Sequence, residues 1–239
     1  MAIPEEVVAV ARQLGELREQ VVFVGGMIRG LLVSDPAVHG PRPTKDVDVV
    51  VDATTKIEFS KTEKALRQLG FRQDMSENAP ICRYLLPGGG VNGEDLPVDF
   101  MPVNSRILGF SSTWYPGACE AARNLPSAAG MIRVIDAPHF VAAKLEAFAS
   151  RGEGDYYHHD LEDVIVLVDG RPELVDELSR APSEVQKFVA AEVVRLLAST
   201  SFRDAIPGHL APDAASQARL PLVLSRLTRI AALPASSTS

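Results

Sequence analysis

Asp46-Val47-Asp48 is the pair whose residue types and spacing most directly imply chemistry. It opens an apolar, β-branched run, and a strand's period of two places both carboxylates on one face with Val47, Val49 and Val51 on the other. Two carboxylates side by side repel, so the arrangement is costly without a cation between them. A hard divalent ion such as Mg²⁺ or Mn²⁺ takes one or two carboxylates together with phosphate oxygens. A further carboxylate, Asp99, stands in the apolar stretch LPVDFMPV, residues 96–103. A charge inside such a strand is unusual. It is either an edge residue pointing at water or a third acid of the same metal site, and the second reading is favoured. The third feature is Gly25-Gly26, which interrupts the strand-like run VVFV and feeds an apolar segment with the spacing of a short helix, Met27 to Val33. Backbone N–H groups converge at such a turn, and a helix N-terminus favours an anion.

These residues need elements to position them. Val21–Val24 and the run from Asp46 supply two strands. Ile81–Leu86, a turn at Pro87-Gly88-Gly89-Gly90 and Leu96–Val103 supply an antiparallel hairpin that would carry Asp99 to the side of Asp46 and Asp48. Pro4–Gln20 is expected as one amphipathic helix, with Glu5 and Glu6 in its first turn. Thr54 or Thr55 caps a helix running to about Leu69 and stopped by Gly70. Phe71–Asp74 is a short edge strand, and Met131–Ile135 is one more strand. Residues 104–130 carry no clear pattern, and Trp114, Tyr115 and Pro116 are expected to pack in a connection. Ala137-Pro138 starts a helix, and the pattern stays helical from there.

Gly25-Gly26, then Asp46-x-Asp48 on a strand, then a lone strand carboxylate resembles the polymerase-β-type nucleotidyltransferase superfamily. Gly25-Gly26-Met27-Ile28-Arg29-Gly30-Leu31-Leu32 followed by Arg42-x-Thr44-Lys45-Asp46-Val47-Asp48 is similar to the AbiEii/AbiGii toxin family, the nucleotidyltransferase half of certain bacterial toxin–antitoxin pairs. A later segment fits the same family: Lys144 in a Lys-Leu-x-Ala run, Arg151 shortly after, then Asp160 and Asp163 entering an apolar helix. His159 departs from it, since the family usually carries Lys or Arg there. On their own residues, Lys144 is explained by a solvated helix face, and Asp160 with Asp163 by solvation or capping.

The expected fold is α/β: a small mixed sheet flanked by helices over residues 1–137, then, from the shift to helical pattern, an α-helical domain over 138–232 and a frayed tail, 233–239. The resemblance implies a cleft between the domains that transfers a nucleoside monophosphate from a nucleoside triphosphate, releasing pyrophosphate. In two-metal chemistry Asp46 and Asp48 would hold both ions. Asp99 would help hold the catalytic ion and orient or deprotonate the attacking group. Gly25, Gly26 and Arg29 would hold triphosphate oxygens, Lys144 and Arg151 would add positive charge, and Asp160 would order Lys144 or the nucleotide. RNA or tRNA as acceptor and a cognate antitoxin as partner follow from the toxin resemblance. A small-molecule nucleotidyltransferase acting on an aminoglycoside-like acceptor and a non-catalytic nucleotide-binding protein are the alternatives.

The rest of the chain narrows the classes. A formal net charge of −7 argues against nucleic-acid binding through overall charge, and a local basic patch remains compatible with it. Cys82 and Cys119 are too few for a disulfide framework or a Cys-rich zinc site and point to a reducing, cytoplasmic setting. No apolar run approaches ~20 residues, so no membrane span is expected. His139, His158 and His159 could ligate a metal, but surface or capping roles are favoured because no His-x-Glu or Cys pair accompanies them. Toward the C-terminus Arg203, Arg219, Arg226 and Arg229 outnumber the acids, which a solvated face explains most simply.

Overall fold

The structure is a computed structural model and describes residues 2–38, 44–152 and 154–233. Arg42 and all of the C-terminal tail beyond Leu233 lie outside the described residues. The chain divides into two compact units: the described residues within Met1–Leu31 and Pro41–Asp136, and those within Leu32–Gly40 and Ala137–Ser239. The fold class is the expected one, α/β around a mixed sheet with helices following.

The first unit holds seven strands: β1 (Val21–Val24), β2 (Val47–Val51), β3 (Arg72–Gln73), β4 (Arg83–Leu86), β5 (Leu96–Pro102), β6 (Arg123–Ser127) and β7 (Gly130–Val134). They form one sheet in the order β3-β4-β5-β2-β1-β7-β6. β2 runs parallel to β5, β1 runs parallel to β7, and the other neighbours are antiparallel. The three middle strands are the most apolar, as strands covered on both faces must be, and all four residues of β1 are buried. On β5 the alternation sends Val98 and Phe100 to one side and Asp99 to the other. Phe100 is met edge-on by Phe71 and Tyr84, with ring centroids 5.4 and 5.8 Å away. Fully burying such a ring contributes about 1.5–3 kcal/mol. That anchors the strand, so the direction of Asp99 is fixed by what lies on the opposite face.

The helices of this unit depart from expectation at instructive places. The first helix, α1 (Glu5–Leu14), stops at Gly15 and a 3-10 turn, Gly15–Gln20, carries the chain to β1. Gly15 has a φ of 56°, which ends an α-helix, and GELREQ offers no apolar face to reward continuing one. The segment expected as a helix from Met27 to Val33 is a 3-10 turn, Gly26–Ile28, and a single α-turn, α2 (Arg29–Leu32). The helix α3 (Lys56–Gln68) starts as expected. Thr55 Oγ1 accepts the Glu58 N–H, and the Glu58 carboxylate accepts the Thr55 N–H at 3.0 Å, a complete capping box. Between residues 104 and 130 the chain forms α4 (Tyr115–Glu120), with Pro116 in its first turn, and then β6, an edge strand paired with β7.

The second unit is helical: α5 (Ala137–Arg151), α6 (His159–Gly170), α7 (Leu174–Arg180), α8 (Ser183–Ala198), α9 (Thr200–Ala205), α10 (Ala214–Gln217) and α11 (Leu220–Ala231). α5 packs on α6 and α8, and α11 packs on α8 and α6. Residues 32–38 also belong to this unit. The N–H groups of Ser34 and Asp35 both donate to the Gly170 carbonyl at 2.9 Å, and Gly170 has no side chain because a Cβ would meet Val33 Cγ1 at 2.8 Å. Arg219 is not on a solvated face: it bridges Asp35 and Asp169 at 2.7 Å each. Nor is Arg226, which is 9 % exposed and donates to the carbonyls of Val168 and Asp169. The expected basic surface therefore loses two of its four arginines to internal ion pairing and backbone capping. Among the described residues, no helix is long and apolar enough to cross a membrane.

Candidate active site

Strand register brings the aspartates together. Asp48 pairs with Val24 on β1 and with Asp99 on β5, so the two carboxylates stand side by side on adjacent strands. Asp46 precedes β2 by one residue and shares the Asp48 side by alternation. Asp99 is not an edge residue facing water. It lies on a strand flanked by β4 and β2 and is 7 % exposed.

The Gly25 turn touches this group directly. Gly25 takes φ 75° and ψ −172°, a conformation confined almost entirely to glycine. A Cβ there would fall 1.8 Å from Asp48 Oδ2. The bare backbone is what lets the Asp48 carboxylate lie against the turn. Gly26 follows within the 3-10 turn and is buried. With only a four-residue α-turn behind it, the helix dipole adds little at this turn. Arg29 is 2 % exposed, so a phosphate could reach it only if its surroundings opened.

The residue that sequence reasoning missed is Arg83. Its Nε and Nη2 donate to the two oxygens of Asp99 at 2.8 Å each, and the same Nη2 donates to Asp46 Oδ2 at 2.8 Å. The hydrogen bonds to Asp99 push its pKa upward, so the guanidinium stays charged. It supplies positive charge to Asp99 and Asp46. The only sequence signal was an arginine inside the strand ICRYLL; its register against Asp99 depends on the loop from Pro87 to Asp95, which the pattern does not measure. Beside it, burial and the Asp99 charge push the Cys82 thiol up to about 12, which leaves it protonated and unfit as a nucleophile.

Lys144, Arg151, Asp160 and Asp163 form a separate cluster in the helical unit. Asp160 is fully buried and accepts from Lys144 Nζ at 3.1 Å and from Arg151 Nε at 2.9 Å. Lys144 Nζ also pairs with Asp163 at 2.6 Å, and its side chain is 12 % exposed, so it is not on a solvated helix face. Burial by itself would raise the Asp160 carboxyl; the Lys144 and Arg151 charges overcome it and hold the group below its ordinary value. Asp160 thus holds Lys144 in an ion pair. Arg151 keeps a 57 % exposed side chain.

His158 caps α6, its Nδ1 accepting from the Asp160 N–H at 3.3 Å. His139 is buried rather than on the surface. Among the described residues, three ligand-type groups converge within 4.8 Å at His158, His159 and Asp160, not at the three aspartates. His158 is already committed to capping α6 and Asp160 to Lys144 and Arg151, whose charges repel a cation there. By donor chemistry the carboxylates of Asp46, Asp48 and Asp99 are of the kind that would suit a hard divalent ion, and Arg83 already engages oxygens of Asp46 and Asp99.

A cavity of about 430 Å³ is lined by Glu6, Met27, Thr44, Lys45, Glu94 and Asp95 among others; Met27 and Lys45 are the chain neighbours of Gly26 and Asp46.

No protein-family model and no curated protein sequence matches the chain. Among solved structures, it is similar to an antigenic nucleotidyltransferase-like protein from Paracoccidioides brasiliensis, at 18% identity and a TM-score of 0.50, over 89% of this chain and 95% of that one. It is also similar to JHP933 from Helicobacter pylori, at 10% identity and a TM-score of 0.46, over 95% of this chain and 89% of that one. The first likeness defines the fold: it is nucleotidyltransferase-like.

Proposed function

We propose that the protein is a metal-dependent nucleotidyltransferase, moving a nucleoside monophosphate from a nucleoside triphosphate to an acceptor hydroxyl. One observation carries the reading: Asp48 and Asp99 stand in register on adjacent strands, with Asp46 joined to Asp99 through Arg83 and Gly25 bare against Asp48. Asp48 and Asp99 side by side repel, a cost that a purely non-catalytic binding role does not explain. Asp46, Asp48 and Asp99 would hold Mg²⁺ or Mn²⁺, which when bound supplies Lewis-acid charge at the reacting phosphate. Backbone N–H groups at Gly25 and Gly26 would receive phosphate oxygens. Asp99 would orient the acceptor hydroxyl and take its proton as the oxygen attacks the α-phosphorus; the bond to the β-phosphate oxygen breaks and pyrophosphate leaves. In the helical unit Asp160 holds the Arg151 guanidinium while the arginine side chain stays 57% exposed, which would leave its charge within reach of a phosphate.

The AbiEii/AbiGii-like wording supports RNA or tRNA as the acceptor and a toxin paired with an antitoxin. A second acceptor reading rests on the 430 Å³ cavity beside Lys45, where Glu6, Glu94 and Asp95 outnumber the one lysine. That balance suits a cationic small molecule of the aminoglycoside kind. Incubation with each α-labelled nucleoside triphosphate and Mg²⁺, with total RNA in one arm and an aminoglycoside in the other, separates the two. Label on RNA supports the first acceptor, label on the small cation the second, and label on neither sinks the transferase reading.

A further inference from the structure

Arg83 faces Asp99 in the antiparallel β4–β5 register, and Asp48 stands beside Asp99 in the parallel β2–β5 register. Residues paired in this way share a face of the sheet, so the guanidinium and the acids cannot avoid one another. A guanidinium only donates, is permanently charged, and matches a carboxylate with a flat two-pronged fork. Here the fork engages both oxygens of Asp99 and one of Asp46. Those are the atoms a divalent ion would need. The side chains of Arg83 and Asp99 are 23% and 11% exposed, so water screens the contact only partly.

We propose that Arg83 is a built-in counter-cation that competes with the divalent metal for Asp99 and Asp46, so that loading the site requires the fork to open. The inference rests on the nucleotidyltransferase reading of the three aspartates and makes Arg83 a positioning residue. Without metal the carboxylates repel, and Arg83 offsets that repulsion while holding Asp99 in one orientation. An arriving ion carries the same sign as the guanidinium and uses the same lone pairs, so the two exclude each other. Metal affinity is then the difference between ion binding and the loss of the fork. A plain structural ion pair makes the opposite forecast, because removing it would loosen the acids and weaken metal binding.

The test is calorimetric titration of Mn²⁺ into wild type, Arg83→Gln and Arg83→Lys. The dissociation constant should fall roughly tenfold or more in Arg83→Gln, the scale of one charge-assisted hydrogen bond. Arg83→Lys keeps the charge but loses the fork, so a smaller fall is expected there. Without metal Arg83→Gln should melt below wild type, and saturating Mn²⁺ should raise its melting temperature by more than it raises that of wild type. Unchanged or weaker Mn²⁺ binding in both variants overturns the proposal and leaves the acids as ligands. No Mn²⁺ binding by any of the three overturns it together with the metal reading. If Arg83→Gln does not fold, Arg83→Lys decides alone, and an affinity at or below that of wild type refutes the competition.

Discussion

Replacing Gly25 with alanine puts a methyl group where the structure has a carboxylate. The new Cβ would stand 1.8 Å from Asp48 Oδ2, 2.5 Å from its Cγ and 2.7 Å from its Cβ. Two costs follow. The first is conformational: a residue with a side chain held at φ 75° and ψ −172° loses about 1–3 kcal/mol. The second is steric. Turning Asp48 off its rotamer adds about 0.5–1.5 kcal/mol, and because its Cβ is itself too close, the backbone must also shift. Together they come to about 1.5–4.5 kcal/mol, a large share of the roughly 5–15 kcal/mol that holds a typical protein folded. Urea denaturation of Gly25→Ala measures the sum. A cycle with Asp48→Gly separates the parts, since that change removes all three contacts and should leave only the conformational cost. A coupling of about 0.5–3 kcal/mol between the two sites is expected. The folded Gly25→Ala protein should also bind Mn²⁺ more weakly, because Asp48 has been displaced. A loss under about 0.5 kcal/mol, or the same loss in both backgrounds, would refute the claim that Gly25 is bare to admit Asp48.

Asp160→Asn removes the anion shared by Lys144 and Arg151 and should destabilise the protein by about 3–5 kcal/mol in urea denaturation, the range for breaking a buried pair. Most of that loss belongs to Lys144, whose side chain is 12% exposed, since Arg151 is 57% exposed and screened by water. The folded pKa of Asp160 lies below 3.8, so its stabilisation is complete above that value and disappears as pH falls through the folded one; Asp160→Asn should flatten this acid limb of a stability–pH series. His209 behaves as a base with its pKa lowered from 6.5 by burial, so the unfolded chain protonates first and stability falls as pH drops below that value; His209→Gln should reduce the dependence, leaving the part that His159, lowered in the same way, contributes. Thr55→Ala breaks the capping box of α3 and should cost about 1 kcal/mol by thermal or urea unfolding.

The strands that carry the site were legible because their physics is local. Four β-branched or aromatic residues before Gly25, alternating valines after Asp46 and the apolar run around Asp99 each identify a strand without reference to the rest of the chain. The α3 cap was legible for the same reason. Arg83 was not, because its meaning depends on a register set across the loop from Pro87 to Asp95. The strand RNLPS was hidden by polarity and a proline, features tolerated at the sheet edge where it lies. Arg219 looked like surface charge because its partners Asp169 and Asp35 are 50 and 184 residues away in sequence. The residue pattern alone left Lys144 on a solvated face, because periodicity along α5 cannot see the two aspartates that α6 brings to it.

The central claim is that Asp99 belongs to a nucleotidyl-transfer centre and does not merely brace Arg83. It is tested most directly by measuring two quantities on wild type and Asp99→Asn: transfer of α-phosphate label from a nucleoside triphosphate in Mg²⁺, and nucleotide affinity by calorimetry. The variant keeps the shape of the side chain and loses the charge that a metal and a departing proton both need. Transfer should vanish while nucleotide affinity survives through the Gly25-Gly26 turn. Transfer by Asp99→Asn at the wild-type rate would contradict the account.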